Sequence, residues 1–420
     1  MTLVLNIVIL LLICLISIYK LNKNYKRFYI LFYVYYQGMI TSASLTFIES
    51  GIYISEQARD SYFVWANLVF FVFFLISIQT LDVVIDFLER KVKVQMPVLK
   101  LRDKKLDYRI IVLVGVLVLV LLLTNLIVSP SPLFSSGVTR FTYWENSKLS
   151  FLRKVIGNTA IFVPFIFGWI YLRKRKLGVL LLIIYIVYIV LIGQKFSPIM
   201  RSLYAFFLPF VLHSSQNFKF NPLKLFRVNF IFIFFALFSL VYIKYAIHNP
   251  FRSAGIETPL QAIFYRAFGL QGHLFWGSVE QFLYLGKDKS WDFRELYRGM
   301  HTLMRYFWYG DMNHIEASIQ NGFSFANAYP AVLLKIVPLP LAYITHLILV
   351  ASLLAPSAWV LLESVKRNNL LVAFFSFQFF NWTGVAFIMG YFNKTLPGLL
   401  LLFLLSVYSL IILKTKLGKE

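Results

Sequence analysis

Two stretches of this chain carry side chains spaced for chemistry. Residues 291 to 308 (WDFRELYRGMHTLMRYFW) place Arg294, Arg298, His301 and Arg305 at i, i+4, i+7 and i+11, which predicts a basic stripe along one helical face. Arginine presents a planar fork of donors suited to phosphate oxygens. A stripe of this kind beside a membrane fits a lipid-linked pyrophosphate. It also fits an interfacial helix, with its arginines on lipid headgroups and Trp291, Tyr306 and Trp308 in the aromatic belt. In residues 259 to 285 (PLQAIFYRAFGLQGHLFWGSVEQFLYL), Arg266, His273 and Glu280 recur every seven residues. Seven residues is two helical turns, so an unbroken helix would align a cation, an imidazole and a carboxylate on one face. Gly269, Gly272 and Gly277 are where such a helix would break, and a hydrogen-bonded packing role is the alternative for His273.

Three more cations are expected to face outward: Arg140 in GVTRFTYWE, and Lys195 with Arg201 in GQKFSPIMR. Each is read either as a phosphate contact or as a headgroup anchor. The chain shows no DxD beside an apolar run, no HxxxH pair, no Gly-rich phosphate loop and no GxSxG elbow. Neither a metal nor any other cofactor is therefore expected. Asp82 and Asp86 read either as proton-relay carboxylates or as interfacial groups beside Arg90 and Lys91.

The elements that must position these residues are membrane helices. Hydrophobic residues make up 59% of the 420-residue chain and charged residues only 14%, which excludes an ordinary soluble domain. The net charge of +23 does not indicate nucleic acid, because the cations sit in short runs between apolar segments. The one cysteine, Cys14, lies inside the first apolar run and permits no intrachain disulfide.

Apolar runs at 2–19, 28–48, 63–86, 110–128, 155–172, 177–193, 199–213, 229–248, 339–362, 370–390 and 396–413 predict about eleven spans. The first run is followed, not preceded, by Lys20, Lys23, Lys26 and Arg27, so it is expected to be a retained span entering from outside. With the N-terminus outside and the C-terminus in the cytoplasm, 24 of the 41 Lys and Arg residues fall in short inner segments, as the positive-inside rule requires. The chain then reads as a single membrane domain, 1–420, with residues 249–338 as a long outer loop carrying short amphipathic helices.

Taken together, these features resemble the bacterial O-antigen (Wzy-type) polymerase family. The resemblance is one of architecture over the whole chain, supported locally by GQKFSP at 193–198, R-x4-QGH-x2-WG from Arg266 to Gly277, and NGFSFANAYPA at 321–331. It implies an all-α, GT-C-like enzyme of the bacterial plasma (inner) membrane. That enzyme would move a growing glycan from undecaprenyl pyrophosphate onto the next lipid-linked repeat unit, without metal.

On this reading Arg266 and Arg305 clamp the pyrophosphate, with Arg294, Arg298, Lys195, Arg201 and Arg140 as further donors. His273 or Glu280 takes the acceptor proton, and Gln271 and Trp276 contact sugar. The partners implied are undecaprenyl-pyrophosphate-linked oligosaccharides and membrane lipids, with a chain-length regulator left open and nucleic acid excluded.

Several rivals are distinguishable. A lipid-linked oligosaccharide flippase predicts short loops and charges buried mid-helix. An O-antigen ligase uses the same donor with a different acceptor. A lipid-monophosphate glycosyltransferase would use acidic residues of the first outer loop, for which Glu49, Glu56 and Asp60 are available. A non-catalytic scaffold would not need clustered outer cations.

Overall fold

The structure is a computed structural model that describes residues 2–51, 63–91, 104–132, 142–150, 162–192, 196–213, 256–307, 312–320, 327–366 and 370–394, with isolated positions between 138 and 246. The described residues are mostly helical, with no strands among them. The helices begin with α1 (Thr2–Lys23), α2 (Tyr25–Ile30), α3 (Phe32–Glu49) and α4 (Ala66–Lys91). They continue with α5 (Lys104–Val128), α6 (Val163–Arg173), α7 (Arg175–Leu191) and α8 (Phe196–His213). The long segment then folds as short pieces: α9 (Pro259–Phe264), α10 (His273–Val279), α11 (Glu295–Arg298), α12 (Met300–Phe307), α13 (Met312–Gln320) and α14 (Ala331–Ile336). The last are α15 (Leu339–Leu349), α16 (Ala355–Lys366) and α17 (Leu370–Met389).

Among the described residues four helices are long and apolar enough to cross a membrane: Thr2–Lys23, Ala66–Lys91, Leu339–Val365 and Val372–Met389. They coincide with four of the expected spans. The count of eleven does not hold for these residues. Of the other expected spans, α6 is 11 residues long and α7 17, while the described apolar parts of α5 and α8 are Val112–Val128 and Pro198–His213. The runs at 229–248 and 396–413 lie essentially outside the described residues.

The chain forms two compact units. One comprises Met1–Lys93, Asn217–Trp359 and Phe379–Leu401, the other Val94–Gln216, Val360–Gln378 and Leu402–Glu420. In the second unit α6 packs against α8 so closely that a Cβ on Gly168 would lie 2.1 Å from the Phe206 carbonyl oxygen, which is how small residues bring apolar helices together.

The core of the first unit gathers Phe70 and Phe73 of α4, Leu274, Phe275, Trp276 and Val279 of α10, and Met300, Leu303, Met304 and Phe307 of α12. Five residues of α14 join them, each fully buried. The short helices therefore fold into this unit's own core.

Buried polar groups tie the first unit together. Glu49, 4% exposed, accepts from the backbone N–H groups of Val64 (3.2 Å) and Ala66 (2.8 Å) and from Asn6 Nδ2 (2.9 Å). The carboxylate satisfies orphan donors where α4 begins. Glu49 is thus occupied structurally, while Glu56 and Asp60 lie outside the described residues.

His346 accepts from Tyr329 OH at 2.7 Å through Nδ1 and donates to the Phe73 carbonyl at 3.1 Å through Nε2. Asp82 pairs with Lys20, and Asp86 pairs with Arg27 at 2.6 Å. Both carboxylates therefore join α4 to α1 and α2; Arg90 and Lys91 are not the partners.

Candidate anion-binding site

The stripe expected at 294–305 is not one helix. Gly299 interrupts it with φ +50 and ψ −119, a region closed to other residues, and separates α11 from α12. The break lies against the end of α17. A Cβ at Gly299 would lie 2.4 Å from the Gly390 carbonyl carbon and 2.7 Å from the Met389 oxygen at the end of α17. We expect Gly299→Val to cost about 3 kcal/mol or more through strain and overlap. A lowered unfolding midpoint in detergent would show it, and an unchanged midpoint would contradict this contact.

Despite the break, three of the arginines converge. Arg294, Arg298 and Arg305 line one pocket of about 510 Å³ together with Lys335, Asp292, Glu295, Thr302 and Tyr306. The reason lies in α12, whose Met300, Leu303, Met304 and Phe307 follow the i, i+3, i+4, i+7 pattern and are buried. Arg305 and Tyr306 are left on its open side. His301 does not line the pocket; its ring lies 5.0 Å from that of Tyr391.

Lys335 is the one charged residue of α14. The α14 carbonyls of Lys335 and Ile336 accept from the N–H groups of Ser290 and Trp291, both at 3.0 Å, which holds the 290–295 segment against the helix end.

Most of the cations are answered by carboxylates. Lys335 Nζ donates to Glu295 Oε1 at 2.5 Å, with both side chains largely buried. Arg294 Nε donates to Asp292 Oδ1 at 2.8 Å; this bond holds the Asp292 carboxyl below its ordinary range. Arg305 makes a two-pronged contact with Glu316 of α13, Nε to Oε1 at 2.5 Å and Nη2 to Oε2 at 3.0 Å. Among the described residues Arg298 has neither an ion pair nor a hydrogen bond from its guanidinium. The Thr302 hydroxyl, on a residue only 8% exposed, has no partner either, nor has Glu295 Oε2. Buried polar atoms are normally satisfied. Four cations against two lining carboxylates, with an unsatisfied hydroxyl donor at Thr302, suit this pocket to an anion that carries hydrogen-bonding oxygens.

The 259–285 segment behaves differently from expectation. After α9 it passes through a π-helical turn (Tyr265–Gly269), a tight turn, α10 and a second π turn (Glu280–Tyr284), so no single helical face exists. Ser44 of α3 fixes the turn by donating to the Gly269 carbonyl at 3.0 Å and accepting from the Gly272 N–H at 2.8 Å.

His273 is 1% exposed, and its Nδ1 donates to the Leu270 carbonyl. Burial pushes its pKa down to about 4, with the Arg266 charge acting in the same direction. Glu280 is buried with Oε2 accepting from Gln281 Nε2 at 3.2 Å, and Trp276 is fully buried in the core. Gln271 donates to the Arg266 carbonyl at 3.1 Å and accepts from Asn327 Nδ2 at 3.1 Å. Two of the segments carrying the family resemblance therefore meet, through contacts that hold the fold. None of Arg266, Gln271, His273, Trp276 and Glu280 lines the pocket. Arg201 belongs to the other unit, and Arg140, Lys195 and Trp308 lie outside the described residues.

The burial of His273 has a measurable consequence. Its folded pKa of about 4 lies below the ordinary 6.5, so the unfolded chain binds more protons between those values. Stability should be complete above pH 6.5 and should fall by roughly 3 kcal/mol as pH drops toward 4. Unfolding midpoints of the wild type and His273→Asn across that window check this. The variant should lose most of the acid slope, and an equal slope in both would contradict it.

Sequence reasoning passed over Asp292, Glu295, Thr302, Lys335 and Glu316 as site residues. For Lys335 a signal existed, since it is the lone charge in the apolar run PAVLLKIVP. No curated protein and no solved structure matches the chain. A family of unknown function, DUF6418, matches residues 294–405, a stretch that begins at the first arginine of the pocket.

Proposed function

We propose that this chain is a surface-polysaccharide polymerase. It joins undecaprenyl-pyrophosphate-linked oligosaccharide repeat units at the outer face of a bacterial plasma membrane by metal-independent glycosyl transfer. The observation that carries the reading is the pocket of Arg294, Arg298, Arg305 and Lys335. Pyrophosphate is already a competent leaving group, so the reaction needs fixed cations for the charge that develops on it and a base for the acceptor hydroxyl. Arginine forks supply the first need.

For the second we assign Glu295 in place of His273 or Glu280, because it shares the pocket with those cations and its Oε2 has no partner. Supporting the setting are four helices apolar and long enough to cross a membrane. The finer topology proposed is of about eleven spans, N-terminus outside and C-terminus cytoplasmic, with the 249–338 segment on the outer side. Membrane lipids and a chain-length regulator are the further partners proposed.

Cells lacking the protein distinguish this reading from its neighbours. Loss of a polymerase leaves single repeat units on the lipid core. A bare core would indicate a ligase, and repeat units retained on the cytoplasmic side would indicate a flippase.

A further inference from the structure

The pocket's ion pairs are not equivalent. Asp292 and Arg294 are two residues apart, on a guanidinium side chain 86% exposed, and form a local turn contact. Glu295 and Lys335 are 14–16% exposed and belong to the wall. Glu316 alone comes from outside the lining, on α13, a helix held to the core by the fully buried Ile315. Its two oxygens lie along the Nε–Nη2 edge of Arg305 at 2.5 and 3.0 Å, the side-on geometry in which a guanidinium receives two oxygens of a phosphate. The pair is substantially open, with the Arg305 side chain 32% and the Glu316 side chain 40% exposed. A pair this exposed is weak enough for a ligand of higher charge to displace.

We infer that Glu316 is an internal competitor for the anion: its carboxylate occupies the phosphate seat on Arg305 in the empty protein, and the ligand must evict it to bind. This rests on the reading of the pocket as a phosphate site and adds a threshold to it. With Glu316 in place the Arg305 charge is balanced, and weakly held single anions gain little from displacing it. A pyrophosphate, which can span Arg298 and Arg305 together, gains from both.

The test is binding of inorganic pyrophosphate to the purified full-length protein in detergent, measured by calorimetry. Glu316→Gln should tighten binding about three- to fivefold, the most that an exposed pair of this kind withholds, and Glu316→Ala should do the same. The gain should vanish in an Arg305→Ala background, where the single and double variants bind alike.

Weaker or unchanged binding in both Glu316 variants would overturn the inference, since Glu316 would then be positioning Arg305. A gain that persists without Arg305 would also overturn it, because it would reflect only the removal of a nearby negative charge. If pyrophosphate binds neither the wild type nor the Glu316 variants, the phosphate site itself is refuted and the competitor with it. Pyrophosphate binding together with failure to polymerise lipid-linked units would instead refute the transferase reading and leave the competition intact.

Discussion

Replacing Arg298 by alanine should abolish polymer formation, lowering turnover by about 10²–10³-fold, the loss typical when one preorganised donor to developing charge is removed. Arg305, Lys335 and Arg294 each face a carboxylate, whereas among the described residues the Arg298 guanidinium has no ion pair or hydrogen bond. Asp292 and Glu316 feel its charge without bonding to it, which leaves its donors open to a ligand. Arg298 is exposed, so its truncation should leave the unfolding midpoint and membrane insertion unchanged. Arg298→Lys keeps the charge and loses the fork, and it should recover only part of the activity. Normal chain length in the alanine variant would refute the assignment.

Glu295→Gln should lower turnover by at least about 10²-fold, as expected for loss of a general base. The side chain is 16% exposed, with Oε1 engaged by Lys335 and Oε2 without a partner. Glutamine preserves volume and removes basicity. It also frees the Lys335 charge, so pyrophosphate should bind the variant no more weakly than the wild type. A structural role predicts the opposite division, in which stability and affinity fall while turnover at saturation holds. Steady-state kinetics with separate kcat and KM distinguish the two.

The legible parts of this molecule are those set by short stretches of sequence. The four helices at Thr2–Lys23, Ala66–Lys91, Leu339–Val365 and Val372–Met389 follow directly from unbroken apolar runs. Arg294, Arg298 and Arg305 share one pocket, but from two helices and not one, so their i, i+4 and i+11 spacing does not by itself account for it.

What was not readable depends on distant neighbours. Gly299 adopts φ +50 and lies against Gly390, about ninety residues on, where a side chain would overlap. His273 looked like a catalytic imidazole by spacing, yet its turn is clasped by Ser44 on α3, more than two hundred residues earlier. Trp276 and Glu280 are buried as well. Lys335 meets Glu295 where the turn at Ser290 and Trp291 bonds to the end of α14. An apolar helix with one lysine does not announce where that lysine will emerge.

If the cation-lined pocket drives glycosyl transfer from a lipid-linked pyrophosphate, product length will report it in proteoliposomes holding only the purified protein and undecaprenyl-pyrophosphate-linked repeat units. The wild type should yield a ladder of lengthening products, and Arg298→Ala single units. Single units from active, correctly inserted wild-type protein, or an undiminished ladder from Arg298→Ala, would contradict it.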